Sequence, residues 1–552
     1  MCGILSILSL SEPLEITEPI IDGFELGVNR GPENSTLINV QDNILFGFHR
    51  LAINGLNIES NQPFAINNIY LICNGEIYNY RLLYDMMPDI FSQTDSDCEI
   101  IIYLYIKYGF EHMLRMLDGV FAIVLYDKNI NKMFIARDYY GVRPLYYVHN
   151  TNYLNNGNIL QIMAFASEIK VLNNFSNEVD LIRHFPPSSY MEINLGPVKM
   201  FHVIKYYNRP NSTFIYPLLM GTIIDNKSAI SPTLQGINYY LTQAVYKRCA
   251  TTERPIACLL SGGLDSSLIA ALVVNYYKTN SREPKTIETY SIGLPDSEDI
   301  KYARMVAAYL GTNHTEIILS EADFINAIPE VICAIESYDT TTVRASIGNY
   351  KLGEYISKHS EAKVIFNGDG SDELCGGYLY MENCPDCIEF DKETNRLLDE
   401  IYMFDVLRSD KCISSHGLEP RTPFLDKSWT QFYLSIPANL RMPNEGECTK
   451  YLLRQAFYTE ENKILPDEIL WRKKEAFSDG VSKLSKSLYE IIQESDPISS
   501  IIEGNTPLDK EKIYYRAVFD TYYPNSDILP HLWMPKYTNA TDASARTLTN
   551  YK

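Results

Sequence analysis

Along residues 2–205 the apolar positions come in short runs separated by polar turns. Gly3-Ile4-Leu5-Ser6-Ile7-Leu8 reads as a glycine followed by a short strand. Asn43–Ile53, Ile69–Asn74, Val120–Tyr126 and Met163–Ala166 are similar runs, and Asp127-Lys128-Asn129 opens a turn into Lys132–Ala136 that predicts a hairpin. A helical period over Glu99–Leu117 sets Ile101, Leu104, Tyr105 and Tyr108 on one face. Many antiparallel strands and few helices predict packed sheets, an α+β layer fold.

A polar stretch containing Pro and Asn, near 207–231, ends this pattern. Beyond it, apolar strands alternate with helical periods. Ile256–Leu260, Ile287–Ile292, Thr315–Leu319 and Lys363–Phe366 are the strands. Leu264–Tyr277, Asp299–Leu310 and a segment near 321–336 are the helices. Helix Asp299–Leu310 sets Ile300, Ala303, Val306, Ala307 and Leu310 on one face. The series is βαβ, which predicts an α/β, doubly wound parallel sheet. The expected domains are 2–205, 225–530 and a C-terminal tail, 531–552.

Composition narrows the partners. The chain has 552 residues and is 46% apolar, so it has ample material for cores. A formal charge of −21 argues against nucleic acid or an anionic membrane as the main partner. Eleven cysteines, an odd count, fit reduced thiols better than a disulfide framework. Cys384 and Cys387 form the only CxxC and read as incidental surface cysteines rather than a zinc site. No run approaches the roughly 20 apolar residues of a membrane span, and the expected compartment is the cytoplasm.

Three stretches carry candidate chemistry. If Met1 is clipped, Cys2 holds a thiol and a free α-amine, whose reference pKa of about 7.7–8.0 suits a base near neutral pH. By itself the segment leaves a packed small hydrophobe as the simpler reading of Cys2. Ser261-Gly262-Gly263-Leu264-Asp265-Ser266-Ser267 follows a strand and opens a helix, where backbone N–H groups and the helix dipole favour an anion. It is not a Walker loop; as a full string it is similar to the pyrophosphate loop of ATP pyrophosphatases. Asn367-Gly368-Asp369-Gly370-Ser371-Asp372-Glu373 follows another strand, and its crowded carboxylates call for a cation; Mg²⁺ carried by ATP is the natural one.

Taken together, the motifs resemble a known family. Cys2-Gly3-Ile4, Arg30-Gly31-Pro32-Glu33, Asn74-Gly75-Glu76-Ile77-Tyr78-Asn79 and Ser96-Asp97-Cys98-Glu99 resemble the glutaminase half of class II glutamine amidotransferases. SGGLDSS, the 367–373 turn, Tyr338–Ser346, Arg421–Asp426, Trp471–Val481 and Asn539–Arg546 resemble the other half of the glutamine-hydrolysing asparagine synthetase family. The resemblance implies an N-terminal nucleophile (Ntn) hydrolase domain, an αββα sandwich, followed by an ATP-pyrophosphatase domain. It also implies asparagine synthesis from aspartate, glutamine and ATP through β-aspartyl-AMP, with ammonia passing through an internal tunnel. The partners are then small molecules, with a homodimer as the family's common assembly.

Residue roles follow from the same resemblance. Cys2 attacks glutamine, and Asn74 with Gly75 forms the oxyanion hole. Arg50 clamps the substrate carboxylate and Asp97 its ammonium, with Leu51, Ala52, Ile53, Asn54 and Glu76 completing the glutamine site. Ser261, Gly262, Gly263, Ser266 and Ser267 bind pyrophosphate, Asp265 and Asp372 hold Mg²⁺, and Leu259, Ile292, Asn367 and Gly368 border the nucleotide. Lys474 stabilises charge on the phosphates, and Arg344, Asp372 and Arg421 are phosphate or aspartate contacts. Four positions depart from the pattern. Asn367 and Asp369 stand where the family has Ser and Glu, leaving Asp369 one methylene short of the group that forms the acyl-adenylate. Phe48-His49 replaces His-Glu, and His416 replaces a Trp. An adenylating ligase for another carboxylate is the alternative within the fold, and a non-catalytic binding protein the alternative outside it; the retained Cys2 favours the amidotransferase.

Overall fold

Strands of the first half bury successive residues in different layers, as a period of two requires. In β1 (Gly3–Ser9), Ile4 and Leu8 join Phe46, Ile72 and Val124, whereas Leu5 and Ile7 join Phe24, Leu45 and Ile169. The computed structural model describes residues 1–196, 200–209, 230–280, 285–444, 446–458, 463–473, 480–482, 486–504, 506–548 and 551. The remaining strands of this half are β2 (Asn34–Gln41), β3 (Ile44–Arg50), β4 (Phe64–Ile66), β5 (Ile69–Ile77), β6 (Gly119–Asp127), β7 (Lys132–Arg137), β8 (Tyr146–Asn155), β9 (Asn158–Ala166), β10 (Arg183–His184), β11 (Ser189–Asn194) and β12 (Met200–Lys205).

They form two six-stranded antiparallel sheets, β10-β8-β9-β1-β3-β2 and β12-β11-β7-β6-β5-β4. The sheets stack on a shared core of Phe46, Phe48, Ile72, Val124 and Phe165. Helix Glu18–Glu25 covers the first sheet, and helices Ile100–Tyr108 and Phe110–Met116 cover the second. The result is the expected αββα sandwich. The single helix expected over Glu99–Leu117 is two helices, because Gly109 at φ 77° leaves the helical region. Ile101, Leu104 and Tyr105 are buried there, but Tyr108, at the end of the first helix, is exposed.

The second half holds β13 (Ile256–Leu259), β14 (Glu288–Gly293), β15 (Asn313–Ile318), β16 (Val364–Phe366) and β17 (Glu419–Arg421), all parallel, in the order β15-β14-β13-β16-β17. Ile256 and Cys258 face the layer containing Leu268 and Leu272, whereas Ala257 and Leu259 face that containing Val343 and Ile347. Helices therefore cover both faces, as a doubly wound sheet demands. Helix Glu298–Leu310 starts at Ser297, whose Oγ accepts from Ile300 N, and it buries all five residues expected of its apolar face. The segment near 321–336 is two helices, Glu321–Asn326 and Ile328–Ile335; Pro329 lies in the first turn of the second, where a missing N–H is tolerated.

Most of the stretch near 207–231 lies outside the described residues. The tail is packed: the Trp533 N–H donates to Asp339 Oδ2 at 2.7 Å, and its ring lies 5.4 Å from that of Tyr378. Between the halves, water-excluded charges alternate in sign. Arg30 Nη1 lies 2.9 Å from Asp410 Oδ1 and 3.7 Å from Glu168 Oε1. Arg143 reaches Asp410 at 3.4 Å and Glu419 at 3.5 Å, and the Met1 α-ammonium lies 3.6 Å from Glu419.

Two candidate active sites

β1 begins at Gly3, between β3 and β9, so Cys2 sits at the end of a central strand rather than on a frayed terminus. Asn74, fully buried on β5, reaches it from the second sheet. The Cys2 N–H donates to Asn74 Oδ1 at 3.1 Å, and Asn74 Nδ2 lies 3.4 Å from Ser167 Oγ, which also accepts from Ile4 N. The Cys2 thiol points at the Leu51 carbonyl, 3.8 Å away. Burial pushes this thiol pKa up, while the adjacent α-ammonium and the Leu51 contact oppose the shift.

The other residues expected at this end gather around it. Asp97 Oδ2 accepts from Ile77 N at 2.6 Å, and burial pushes its carboxyl up to about 6. Glu76 accepts from Asn54 Nδ2 at 2.7 Å; burial, then the neighbouring Asp97, drives it well above the usual carboxylate range. The Gly75 carbonyl accepts from Cys98 Sγ at 3.6 Å. Arg50 Nη1 donates to Asn57 O and Asn61 Oδ1, and its Nη2 to Gly55 O, so the guanidinium stands inside loop 55–61. Ala52 N donates to Glu33 Oε2 at 2.7 Å.

The second candidate is a cavity at the carboxyl ends of β13, β14 and β16, where strand order reverses about β13 and open α/β sheets bind ligands. Leu259, Ser261, Gly263, Asp265, Ser266, Ile292, Asn367, Gly368, Asp369 and Asp372, all named from the sequence, line it. At Gly368 the two loops touch: a Cβ there would come within 2.8 Å of Asp265 Cβ and Ser266 N. Gly262 packs on Tyr302 and Ala303, and Ser267 is buried in the helix; neither lines the cavity.

Lys450, like Arg408 below, is a residue that sequence reasoning missed. Its ammonium lies 2.7 Å from both Asp265 oxygens and 2.6 Å from Asp372 Oδ1. A lone lysine ahead of helix Tyr451–Phe457 carries no motif, so only the fold reveals it. The arrangement also tests the fit of a metal. Two carboxylates converge on one cationic point beside the phosphate-type loop, a donor set suited to a hard cation that takes its other ligands from phosphate and water. Among the described residues no group of three or more His, Cys, Asp or Glu forms a complete metal cage.

Asp369 reaches a partner despite its short side chain: Arg408 Nη2 donates to its Oδ1 at 3.1 Å and pairs with Asp405 at 2.8 Å. Burial pushes Asp369 up, and Arg408 pulls it back. Glu373 is driven well above the normal range by burial and by Asp405, with Tyr378 Oη bridging the two carboxyls.

Two expected contacts lie elsewhere. Arg344 is buried with both edges of its guanidinium taken, by Glu511 at 2.5–2.8 Å and by Asp542 at 2.6–2.8 Å, and it ties helix Thr340–His359 to helix Pro507–Tyr522 and the tail. Arg421, at the end of edge strand β17, pairs with Glu419 at 2.8 Å and Glu76 at 3.3 Å and donates to Thr251 O at 2.9 Å, which sets it at the junction of the halves. In each case nearby acidic groups already neutralise the charge that was assigned to substrate. Lys474 lies outside the described residues, although Arg472 and Lys473 before it line the cavity. His49 is packed, stacked 3.8 Å from Phe24 and bonded to Ser35 and the Phe24 carbonyl. His416 is also packed, against Tyr350, and burial pushes its pKa down to about 4.

A sandwich carrying a cysteine at its N-terminal strand, joined to a parallel sheet with a phosphate-type loop, defines a two-site glutamine amidotransferase. Residues 1–209 match the glutamine amidotransferase domain family, and residues 236–389 and 385–540 match the asparagine synthase family. The chain is 40% identical to the glutamine-hydrolysing asparagine synthetase of Gallus gallus and 38% identical to those of Rattus norvegicus and Homo sapiens, each over 100% of this chain and 99% of the relative. The chain belongs to the family of glutamine-hydrolysing asparagine synthetases.

Arg344→Met should cost about 3–5 kcal/mol of stability, because it strands two buried carboxylates. Chemical denaturation reads this, and the KM for ATP of the protein that remains folded should be unchanged. Normal stability with a raised KM for ATP would return Arg344 to the substrate.

Proposed function

We propose that the protein makes L-asparagine from L-aspartate, L-glutamine and ATP through β-aspartyl-AMP, releasing AMP, pyrophosphate and L-glutamate. The observation that carries this reading is the Cys2–Asn74 constellation in a chain alike over its whole length to relatives bearing that enzyme name.

At the first site, Cys2 Sγ attacks the side-chain carbonyl carbon of glutamine. The free Cys2 α-amine takes the thiol proton and gives it to the departing ammonia, and water then cleaves the glutamyl thioester. While Met1 remains, this nitrogen is an amide and cannot act as the base. Asn74 Nδ2 and the Gly75 N–H hold the oxyanion. Arg50 takes the substrate carboxylate and Asp97 its ammonium, while residues 51–54 and Glu76 wall the site.

At the second site, Ser261, Gly263 and Ser266, which line the cavity, hold the pyrophosphate, and Leu259, Ile292, Asn367 and Gly368 border the nucleotide; Gly262 and Ser267, which face away from it, shape the loop instead. Asp265 and Asp372 would hold Mg²⁺, which when bound supplies positive charge to the departing pyrophosphate. Lys450 balances the same two carboxylates, and Lys474 adds a cation on the phosphates. Asp369, oriented by Arg408, assists attack of the aspartate carboxylate on the α-phosphate. Ammonia then attacks the β-carbonyl and expels AMP. A cytosolic location and a homodimer belong to the same proposal.

Incubation with ATP, Mg²⁺, glutamine and a panel of carboxylic acids should yield asparagine with AMP and pyrophosphate. ADP with phosphate, or amidation of another acid, would overturn the assignment. Cys2→Ala should abolish glutamine use yet keep synthesis from added ammonia; normal glutamine use in that variant would remove Cys2 from its role.

The raised carboxyl of Asp97 sets a pH limit. It must be ionised to hold an ammonium, so glutamine binding is present above about pH 6 and weakens as pH falls through that value. Below it, the KM for glutamine should rise by about tenfold per pH unit. A KM flat down to pH 5 would take Asp97 out of the binding role.

A further inference from the structure

Loop 51–55, which runs out of β3, is held largely from the other half of the molecule. The Glu253 N–H donates to the Ile53 carbonyl at 3.0 Å, and Glu253 Oε1 accepts from Gly55 N at 2.7 Å. The Thr251 carbonyl accepts from Asn54 Nδ2 at 3.1 Å. Arg254 Nε donates to the Ala52 carbonyl at 2.8 Å, and its Nη2 to Glu33 Oε1 at 2.8 Å. The second oxygen of Glu33 closes the circuit by accepting from Ala52 N. Polar groups of Ala52, Ile53, Asn54 and Gly55 are thus all met by Thr251–Arg254, directly or through Glu33. The clamping segment is followed at once by Pro255 and β13, whose far end carries loop 261–267.

Position and exposure separate this contact from ordinary domain packing. Glu253 is exposed and Arg254 is only partly buried, so neither serves the core. Their side chains bond to loop 51–55 and to Glu33, which itself holds Ala52 N. Removing either leaves no buried unpaired charge, which makes the contact dispensable for folding while it fixes the loop backbone.

We propose that Glu253 and Arg254 are positioning residues for glutamine. They set loop 51–55 from the opposite half and tether it to the strand that carries the phosphate loop. The proposal rests on the reading of residues 51–54 as part of the glutamine site. The loop is therefore built in two pieces, and the first half alone lacks one side of it.

Full-length Glu253→Ala, Arg254→Ala and the double variant test it, with glutamate release and ammonia-dependent synthesis measured side by side. Each single variant should raise the KM for glutamine about three- to tenfold, the effect of one or two lost hydrogen bonds. The kcat for glutamate release and the rate of ammonia-dependent synthesis should stay within about twofold, since no group that touches a reacting atom changes. Glu253→Gln, which keeps an oxygen for Gly55 N, should restore most of the affinity. An unchanged KM in the double variant overturns the proposal. So does a parallel fall in ammonia-dependent synthesis, which would mark general loosening of the fold. Wild-type protein that releases no glutamate overturns the glutamine reading as well; release by the wild type with an unaffected double variant overturns the positioning role alone.

Discussion

The structure depends on a layer of buried charge between its two halves. Arg30, Arg143 and Arg421 alternate there with Glu168, Asp410, Glu419 and Glu76, away from water. Burying such groups is expensive unless each finds an opposite charge at close range, so the network tolerates one docking arrangement and penalises others. Both candidate sites inherit that precision. Arg30 Nε donates to the carbonyl of Cys2 at 3.0 Å, and Arg421 spans from Glu76 to the Thr251 carbonyl. Cys2 is thus located partly through Arg30, which the second half holds by Asp410.

The same network explains where sequence reasoning succeeded and where it stopped. Strand periods were legible because alternate residues enter different layers, as Ile256 and Cys258 do against Ala257 and Leu259. The helix over Glu298–Leu310 was legible because its cap and apolar face repeat a local rule. Breaks at Gly109 and Pro329 escaped because the apolar period continues across them. Cys2, Asn74 and Asp97, and the 261–267 and 367–373 loops, stood out as candidates because each belongs to a short contiguous motif. Lys450 and Arg408 were not: each matters through partners far off in the chain, Asp265 for one and Asp369 for the other. Arg344 and Arg421 were misjudged for the converse reason. A conspicuous arginine near a motif suggests a substrate, but Glu511, Asp542 and Glu419 already occupy these two.

The departures from the family pattern separate into two kinds. His49 and His416 are absorbed by packing, the first stacked on Phe24 and the second tilted against Tyr350. Asn367 and Asp369 remain at the cavity and acquire partners of their own, Ser409 for the first and Arg408 for the second. A shortened carboxylate held by a guanidinium loses reach but gains a fixed direction.

Met1 carries a consequence for how the molecule is made. It is 2% exposed, its sulfur accepts from Arg30 and its amine faces Glu419, so the residue is sealed where the halves meet. An aminopeptidase can reach it only on a chain whose halves have not yet docked. Since N-terminal domains fold first during synthesis, any trimming of Met1 becomes a race with the arrival of the second domain. A chain that loses this race keeps Met1 between its halves, and its Cys2 nitrogen stays an amide.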